Sequence, residues 1–280
     1  MIKIRSRIGD GDLPQPDRRY ERKSEMKKVL GNKKALMLFI LPGLILYVGI
    51  VIVPVIWSFG YSLYTGTPGL DWEFSGIRNY QRLFQDSRLQ AALIVNLKYI
   101  LYTMLGQVVL GLCLALLFRF GLKRFKSAVR TIAFFPVILP TVAVGQLFAK
   151  IYEIQPNYGL LNSLLDGLGI QELVQPWIGQ ASTALPALSF MDIWVSMGFY
   201  AVIFFGGLLD ISDDIVEAAK IDGCGFWRMF RSILFPLLRP VTITCLVFSF
   251  AGTVKMFESA MALTGGGPGN ATTSLSMYMY

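Results

Sequence analysis

Five long, predominantly apolar runs restrict this chain to one class of fold. They cover residues 35–64, 91–118, 128–151, 183–209 and 241–263. The hydrocarbon core of a bilayer takes about 20 apolar residues of helix, and each run is long enough to cross it. Within lipid every backbone N–H and C=O must find a partner inside the protein, and helices of this length meet that demand. The chain is 54% hydrophobic with mean hydropathy +0.54, too apolar for a soluble domain of this size. The sequence predicts an all-α integral membrane protein, a polytopic helical bundle with five spans. The first run is longer than one span needs, and either tilts or begins as an interfacial turn. It lacks a short apolar region followed by a small-residue cleavage site, so it reads as a retained span.

The basic residues set an expected orientation. Eleven Lys and Arg fall in residues 1–34, five in 119–130 and four in 210–240. The alternate segments are poor: three in 65–90, none in 152–182 and none after Lys255. Cytoplasmic loops carry the excess of Lys and Arg. That places a basic N-terminal tail (1–34), the 119–130 linker and the 211–240 loop in the cytoplasm. The net charge of +8 is thereby explained by anchoring at the membrane surface, and nucleic acid is not an expected partner.

One polar segment between the last two runs carries the most specific signal. Asp214 and Glu217 have the spacing of a capping box, which starts a helix at Asp214. Ala218 and Ala219 favour helix and keep one face small. Gly223 sits where a left-handed stop is needed. Phe226, Phe230 and Ile233, beside Arg228 and Arg231, predict an interfacial helix that braces this loop.

The pattern Glu217-Ala218-Ala219, three residues, Gly223, nine residues, Ile233 and then Pro236 resembles the EAA loop of permease subunits of binding-protein-dependent ABC importers. Phe235 stands where that pattern has Leu, Cys224 where carbohydrate-type members usually have Ala, and Ser212 where Pro is common. Further matches point to the carbohydrate type, similar to the maltose or glycerol-phosphate permeases. They are Gly76-Ile77-Arg78-Asn79-Tyr80, the Phe135-Pro136 and Pro140 prolines, Gly159-Leu160-Leu161-Asn162 with Pro176-Trp177, and Thr264-Gly265-Gly266-Gly267-Pro268. Thr272, Leu275, Tyr278 and Tyr280 resemble the lead-in to a sixth span, expected to be missing from this chain. The resemblance covers residues 35–280, expected to form one transmembrane domain.

What the resemblance implies is a subunit moving a sugar, oligosaccharide or polyol across the bacterial inner membrane. Asp214, Glu217, Ala218, Ala219, Asp222 and Gly223 become the residues that couple it to ATPases. The implied partners are a homologous second permease, two cytoplasmic ABC ATPase subunits and a periplasmic or lipid-anchored solute-binding protein. No cofactor is expected in this chain, and ATP-Mg belongs to the ATPases. The alternatives are a permease for a non-sugar solute such as glycerol phosphate and, further off, a non-ABC channel.

Enzyme chemistry has little to stand on in these residues. The chain has no histidine, which removes His-based triads and His metal sites. Cys113, Cys224 and Cys245 suit neither a disulfide nor a CxxC site. The glycines at 265–267 lack the Lys-Ser/Thr of a phosphate loop. Charges inside the runs are costly in hydrocarbon and therefore candidate functional groups: Lys98, Asp192, Lys255 and Glu258. Lys255 and Glu258 could instead pair with each other at i, i+3, whereas Asp192 has no opposite charge near it in sequence. Tyr99, Tyr102, Trp194, Tyr200 and Phe257 are candidate aromatic walls of the pathway, with membrane-belt or bundle-packing roles as the alternative for each. Asp192, Trp194, Lys255, Phe257 and Glu258 make up the expected solute pathway.

Overall fold

The computed structural model describes residues 33–280 apart from 68, 123 and 125. The basic tail expected over 1–34 lies outside it except for its last two residues. The chain divides into two units, Met1–Leu83 and Phe84–Tyr280.

In the first unit, α1 (Lys33–Tyr47) and α2 (Val53–Tyr61) run on through a π-helical turn, Val48–Ile52. Together they supply an apolar helix, Leu36–Tyr61, long enough to cross a membrane. Such an all-round apolar surface suits lipid or a partner subunit. A short hairpin follows, with β1 (Tyr64–Thr65) antiparallel to β2 (Glu73–Phe74). Trp72 packs against Tyr61 and Tyr64 at centroid distances of 5.2 and 4.6 Å. Asn79, at the start of α3 (Arg78–Gln85), donates to the carbonyls of Ser62 (3.0 Å) and Tyr64 (2.8 Å). The Gly-x-x-Asn-Tyr motif thus fastens the hairpin to the helix end.

The second unit is built on α4 (Ser87–Leu116) and α8 (Ala181–Leu209), which pack along most of their length. Asp86 caps α4, accepting from the Arg88 amide at 2.8 Å. The pair is parallel. Tyr99 meets Asp192, Gly111 lies against Tyr200 and Phe118 against Phe205, so contacts advance together along both helices. A Cβ on Gly111 would stand 2.6 Å from Tyr200 Cβ, so only glycine allows this approach. Ala115 and Ala201 are fully buried beside it, the small-residue packing that membrane helices use.

Two of the expected straight spans are bent. Residues 128–151 form α5 (Lys126–Phe134), a 3-10 turn (Phe135–Ile138) and α6 (Thr141–Ile151), with α5 and its turn bent 102° from α6. Proline cannot donate to a helix ladder and disfavours helix in the residue before it; Pro136 and Pro140 flank this break. Residues 241–263 are broken at 255–257, and a separate bend lies just before the run. Phe226–Leu237 is bent 69° from α12 (Arg239–Val254), which stops at Lys255, and α13 (Glu258–Leu263) restarts beyond it. Among the described residues, three helices are long and apolar enough to cross a membrane, or up to five if each bent pair counts as one span.

The ends of the bundle differ. α7 (Leu160–Gly167) and the loop after it gather at the start of α8. Asn162, fully buried, accepts from Trp177 Nε1 at 2.9 Å and donates to the carbonyls of Glu153 and Gln175. The two sequence pieces of that loop are therefore joined through one amide. At this end Thr264 and Thr272 hydroxyls share a 2.6 Å bond and Ser274 donates to the Met256 carbonyl. Tyr278, in α14 (Leu275–Met279), donates to Asp86 at 2.6 Å. The opposite end holds the turn Leu117–Gly121 and the polar loop after α8.

Candidate functional site

That polar loop forms α9 (Asp213–Ile221), directly after α8. Its start differs from the expected capping box. Ser212, not Asp214, is the N-cap and its side chain accepts no capping bond, while Asp213 and Asp214 occupy the first turn. Carboxylates there still favour the helix through its dipole. Asp213 is further held by an ion pair with Arg119, in the π turn (Leu117–Gly121) that ends α4. The stop is as expected. Gly223 has φ +73°, the Cys224 amide bonds the Ala219 carbonyl (2.9 Å) and the Gly223 amide bonds that of Lys220 (3.0 Å). This is a Schellman closure.

The faces of α9 are divided. Val216 and Ala219 are buried in a cluster with Phe204, Leu208, Met229 and Leu234. Asp214, Glu217, Ala218 and Ile221 follow the i, i+3, i+4, i+7 pattern of one face, and all are exposed, Ile221 to 86%. Asp222 is exposed beside them. The brace after α9 is a compound helix: α10 (Phe226–Met229), a π turn (Phe230–Leu234) and α11 (Phe235–Leu237). Phe226 stacks edge-on against Phe120, with centroids 5.9 Å apart. The last turn of α4 therefore holds the loop on both sides of α9, through Arg119 and Phe120.

The second constellation is a cavity of about 390 Å³ deep between α4, α8 and the break beyond α12. Asp192, Lys255, Phe257 and Glu258 all line it, so four of the five expected pathway residues converge. Trp194 does not. It packs against Phe148 at 5.4 Å in the neighbouring apolar cluster. Of the other candidates, Tyr99 and Tyr200 line the cavity, whereas Tyr102 is exposed elsewhere on α4 and Lys98 is also exposed. Asp192 has a partner that sequence spacing missed: Tyr99 donates to its Oδ2 at 2.5 Å. Lys255 and Glu258 do not pair, since the ion pairs among the described residues are Arg119–Asp213 and Lys150–Glu153. Lys255 instead ends α12 and Glu258 begins α13. Non-helical backbone at membrane depth is tolerated where it is buried in protein or lines a cavity, and residues 255–257 do line one.

Polar groups without formal charge complete the cavity wall. Gln107 accepts from Ser249 at 2.7 Å and its amide lies 3.4 Å from the Asp192 carbonyl. Asn96, Tyr99, Thr103 and Gln107 form one buried polar stripe along α4. Their spacing of three, four and four residues was present in the sequence as its signal. No group of three or more metal-ligating side chains occurs among the described residues.

Known proteins resemble this chain along most of its length. Residues 107–280 match the family described as binding-protein-dependent transport system inner membrane component. The trehalose/maltose transport system permease protein of Thermococcus litoralis is 32% identical over 87% of this chain and 81% of its own. The multiple sugar-binding transport system permease protein of Streptococcus mutans is 33% identical over 91% and 86%. In fold, the chain resembles a bacterial alginate ABC transporter solved with an alginate pentasaccharide-bound periplasmic protein. There the TM-score is 0.72 at 22% identity, over 91% of this chain and 84% of that one. A helical bundle with a short helix presented beyond α8, and a sequence matched over these spans, make this chain a member of the family of inner-membrane components of binding-protein-dependent transport systems.

Proposed function

We propose that this chain is a permease subunit of an ABC importer for a sugar, oligosaccharide or polyol, driven by separate ATPase subunits that dock on α9. The observation that carries this reading is the split surface of α9. Its underside is sealed on the bundle through Val216 and Ala219, while Asp214, Glu217, Ala218 and Ile221 face outward. A helix so fixed below and so exposed above transmits a push as a rigid body. The sugar class is supported by relatives whose names specify trehalose/maltose and multiple sugars. A solute-binding protein as partner is supported by the family and by the periplasmic protein in the alginate complex.

In the proposed cycle a second, homologous permease completes the pathway, and ATP-Mg stays on the ATPases. ATPase closure displaces α9 and the end of α4 with it, and the bundle switches the side from which its cavity is reached. Asp192, Lys255, Phe257 and Glu258 would line the route, the carboxylates accepting from solute hydroxyls. The basic linker 119–130 and α9 lie at one end, proposed to be cytoplasmic with the N-terminus.

The test is binding-protein-stimulated ATPase activity and solute uptake in the reconstituted complex. Glu217→Lys is expected to abolish both while the subunit still inserts and assembles; normal uptake at wild-type expression would end the coupling reading. Orientation is tested separately with membrane-impermeant thiol reagents. In a background with Cys113, Cys224 and Cys245 replaced, Leu168→Cys should label from outside and Ser127→Cys only after the membrane is opened. Leu168 is 72% exposed.

A further inference from the structure

A separate concavity of about 330 Å³ lies on the outer surface of the bundle, lined by Ser127, Arg130, Thr131, Phe134 and Val202. It shares no residue with the cavity around Asp192. Arg130 is its charged member. The guanidinium carbon sits 4.7 Å from the centroid of the Phe205 ring, so one face of the cation is covered by an aromatic surface. Neither ion pair among the described residues involves Arg130. An arginine stacked on a ring keeps its planar fork of N–H donors for a bidentate oxyanion. Ser127 adds a hydroxyl at the rim, while Thr131 is committed to the Ser127 carbonyl at 3.0 Å.

The floor differs in kind. Phe134 and Val202 are apolar. The segment 119–130 holds five basic residues and no acid, and it joins the end of one membrane helix to the start of the next. A cation at such a boundary, with a hydroxyl beside it and an apolar trough leading away, matches a two-part ligand.

We propose that this concavity binds an anionic phospholipid, its phosphodiester on Arg130 and Ser127 and an acyl chain along Phe134 and Val202. Charge complementarity favours a lipid with net negative charge over a zwitterionic one. The site rests on residence in the membrane, not on the docking role of α9, so its failure would leave the coupling reading intact.

The experiment uses the assembled transporter in vesicles of phosphatidylcholine mixed with phosphatidylglycerol, with retained lipids counted by native mass spectrometry. Wild type is expected to retain phosphatidylglycerol preferentially. Arg130→Ala should weaken that retention about fivefold, the value of one basic residue near an anionic surface. Arg130→Lys should keep most of it, which separates charge from folding. Excess inorganic phosphate should leave the lipid in place; displacement would make this a free-phosphate site and overturn the lipid assignment. Equal retention of the two lipids by wild type, or an unchanged preference in Arg130→Ala, would also overturn it. So would crosslinking of Arg130→Cys to the second permease in place of a photoactivatable lipid.

Discussion

Gly223 shows how much one residue can decide. Its φ of +73° is paid for by no side chain, and a Cβ there would meet nothing within 4 Å. The cost of substitution is therefore conformational and not steric. An L-residue in that region loses roughly 1–2 kcal/mol, so Gly223→Ala should weaken coupled transport partially and Gly223→Asn less. Gly223→Pro should abolish it, because the ring fixes φ at a negative value. Uptake at matched expression reads this ranking, and full activity in the proline variant would contradict it. Asp192 makes a different residue-scale case. Removing its donor with Tyr99→Phe leaves a carboxylate oxygen short of a hydrogen bond, a loss of about 1–3 kcal/mol when buried. Asp192→Ala is expected to lower solute-stimulated uptake with assembly intact; collapse of the complex would mark it as a structural partner instead. The position of Asp192 inside a membrane run was legible in the sequence, but Tyr99 lies 93 positions away and only the helix pairing reveals it. Trp194 misled because an aromatic two residues from Asp192 falls on another face of a helix, here the one packed on Phe148.

Among the elements, the grip of α4 on α9 invites a charge-exchange test. The Arg119–Asp213 pair is largely exposed on the aspartate side, and exposed pairs contribute roughly 0–1 kcal/mol. Its expected role is therefore alignment more than stability. Arg119→Asp should uncouple ATP hydrolysis from uptake without lowering the amount of assembled complex, and Asp213→Arg in the same chain should restore part of the coupling. Absence of any rescue would mean that Phe120 and the apolar underside hold α9 alone. Burial of Val216 is the larger energetic factor, about 1.5–3 kcal/mol for a side chain of that kind. At this scale the sequence yielded helix identity well and helix shape poorly. The stop at Gly223 could be read because a single residue type creates it. The capping box could not, since a residue outside the motif, Ser212, took the N-cap and Asp213 turned to Arg119. The bent runs were hidden for another reason: hydropathy counts apolar residues and is blind to direction. Pro136 and Pro140 were visible, yet the 102° angle between the two pieces depends on what each packs against.

For the molecule as a whole, the far end from α9 is tied together by Tyr278 and Asp86. The Tyr278 hydroxyl, then the Arg88 amide, hold the Asp86 carboxyl below its ordinary value of 3.8. A lowered carboxyl pKa contributes stability that is complete above the unfolded value and lost as pH falls through the folded one. Acid should therefore loosen this tie only below about pH 4, and Tyr278→Phe should flatten that part of a thermal-stability profile while leaving neutral pH little changed. A profile identical to wild type would show that the tie carries no weight. The segregation of basic segments from the glycine-rich loop was readable as charge asymmetry, whereas the tie itself, spanning 192 positions, was not. Between the two ends runs α4, 30 residues without a proline, or about 45 Å of continuous helix. Tyr99 on its body meets Asp192, Arg119 in the π turn beyond one tip meets Asp213, and Asp86, the N-cap at the other tip, meets Tyr278. A stiff rod pivoted near its middle swings its tips in opposite directions, and a tilt of about 10° carries each by roughly 4 Å. In the proposed cycle, widening one mouth of the bundle would narrow the other, like the two arms of a seesaw, with the fulcrum at the cavity.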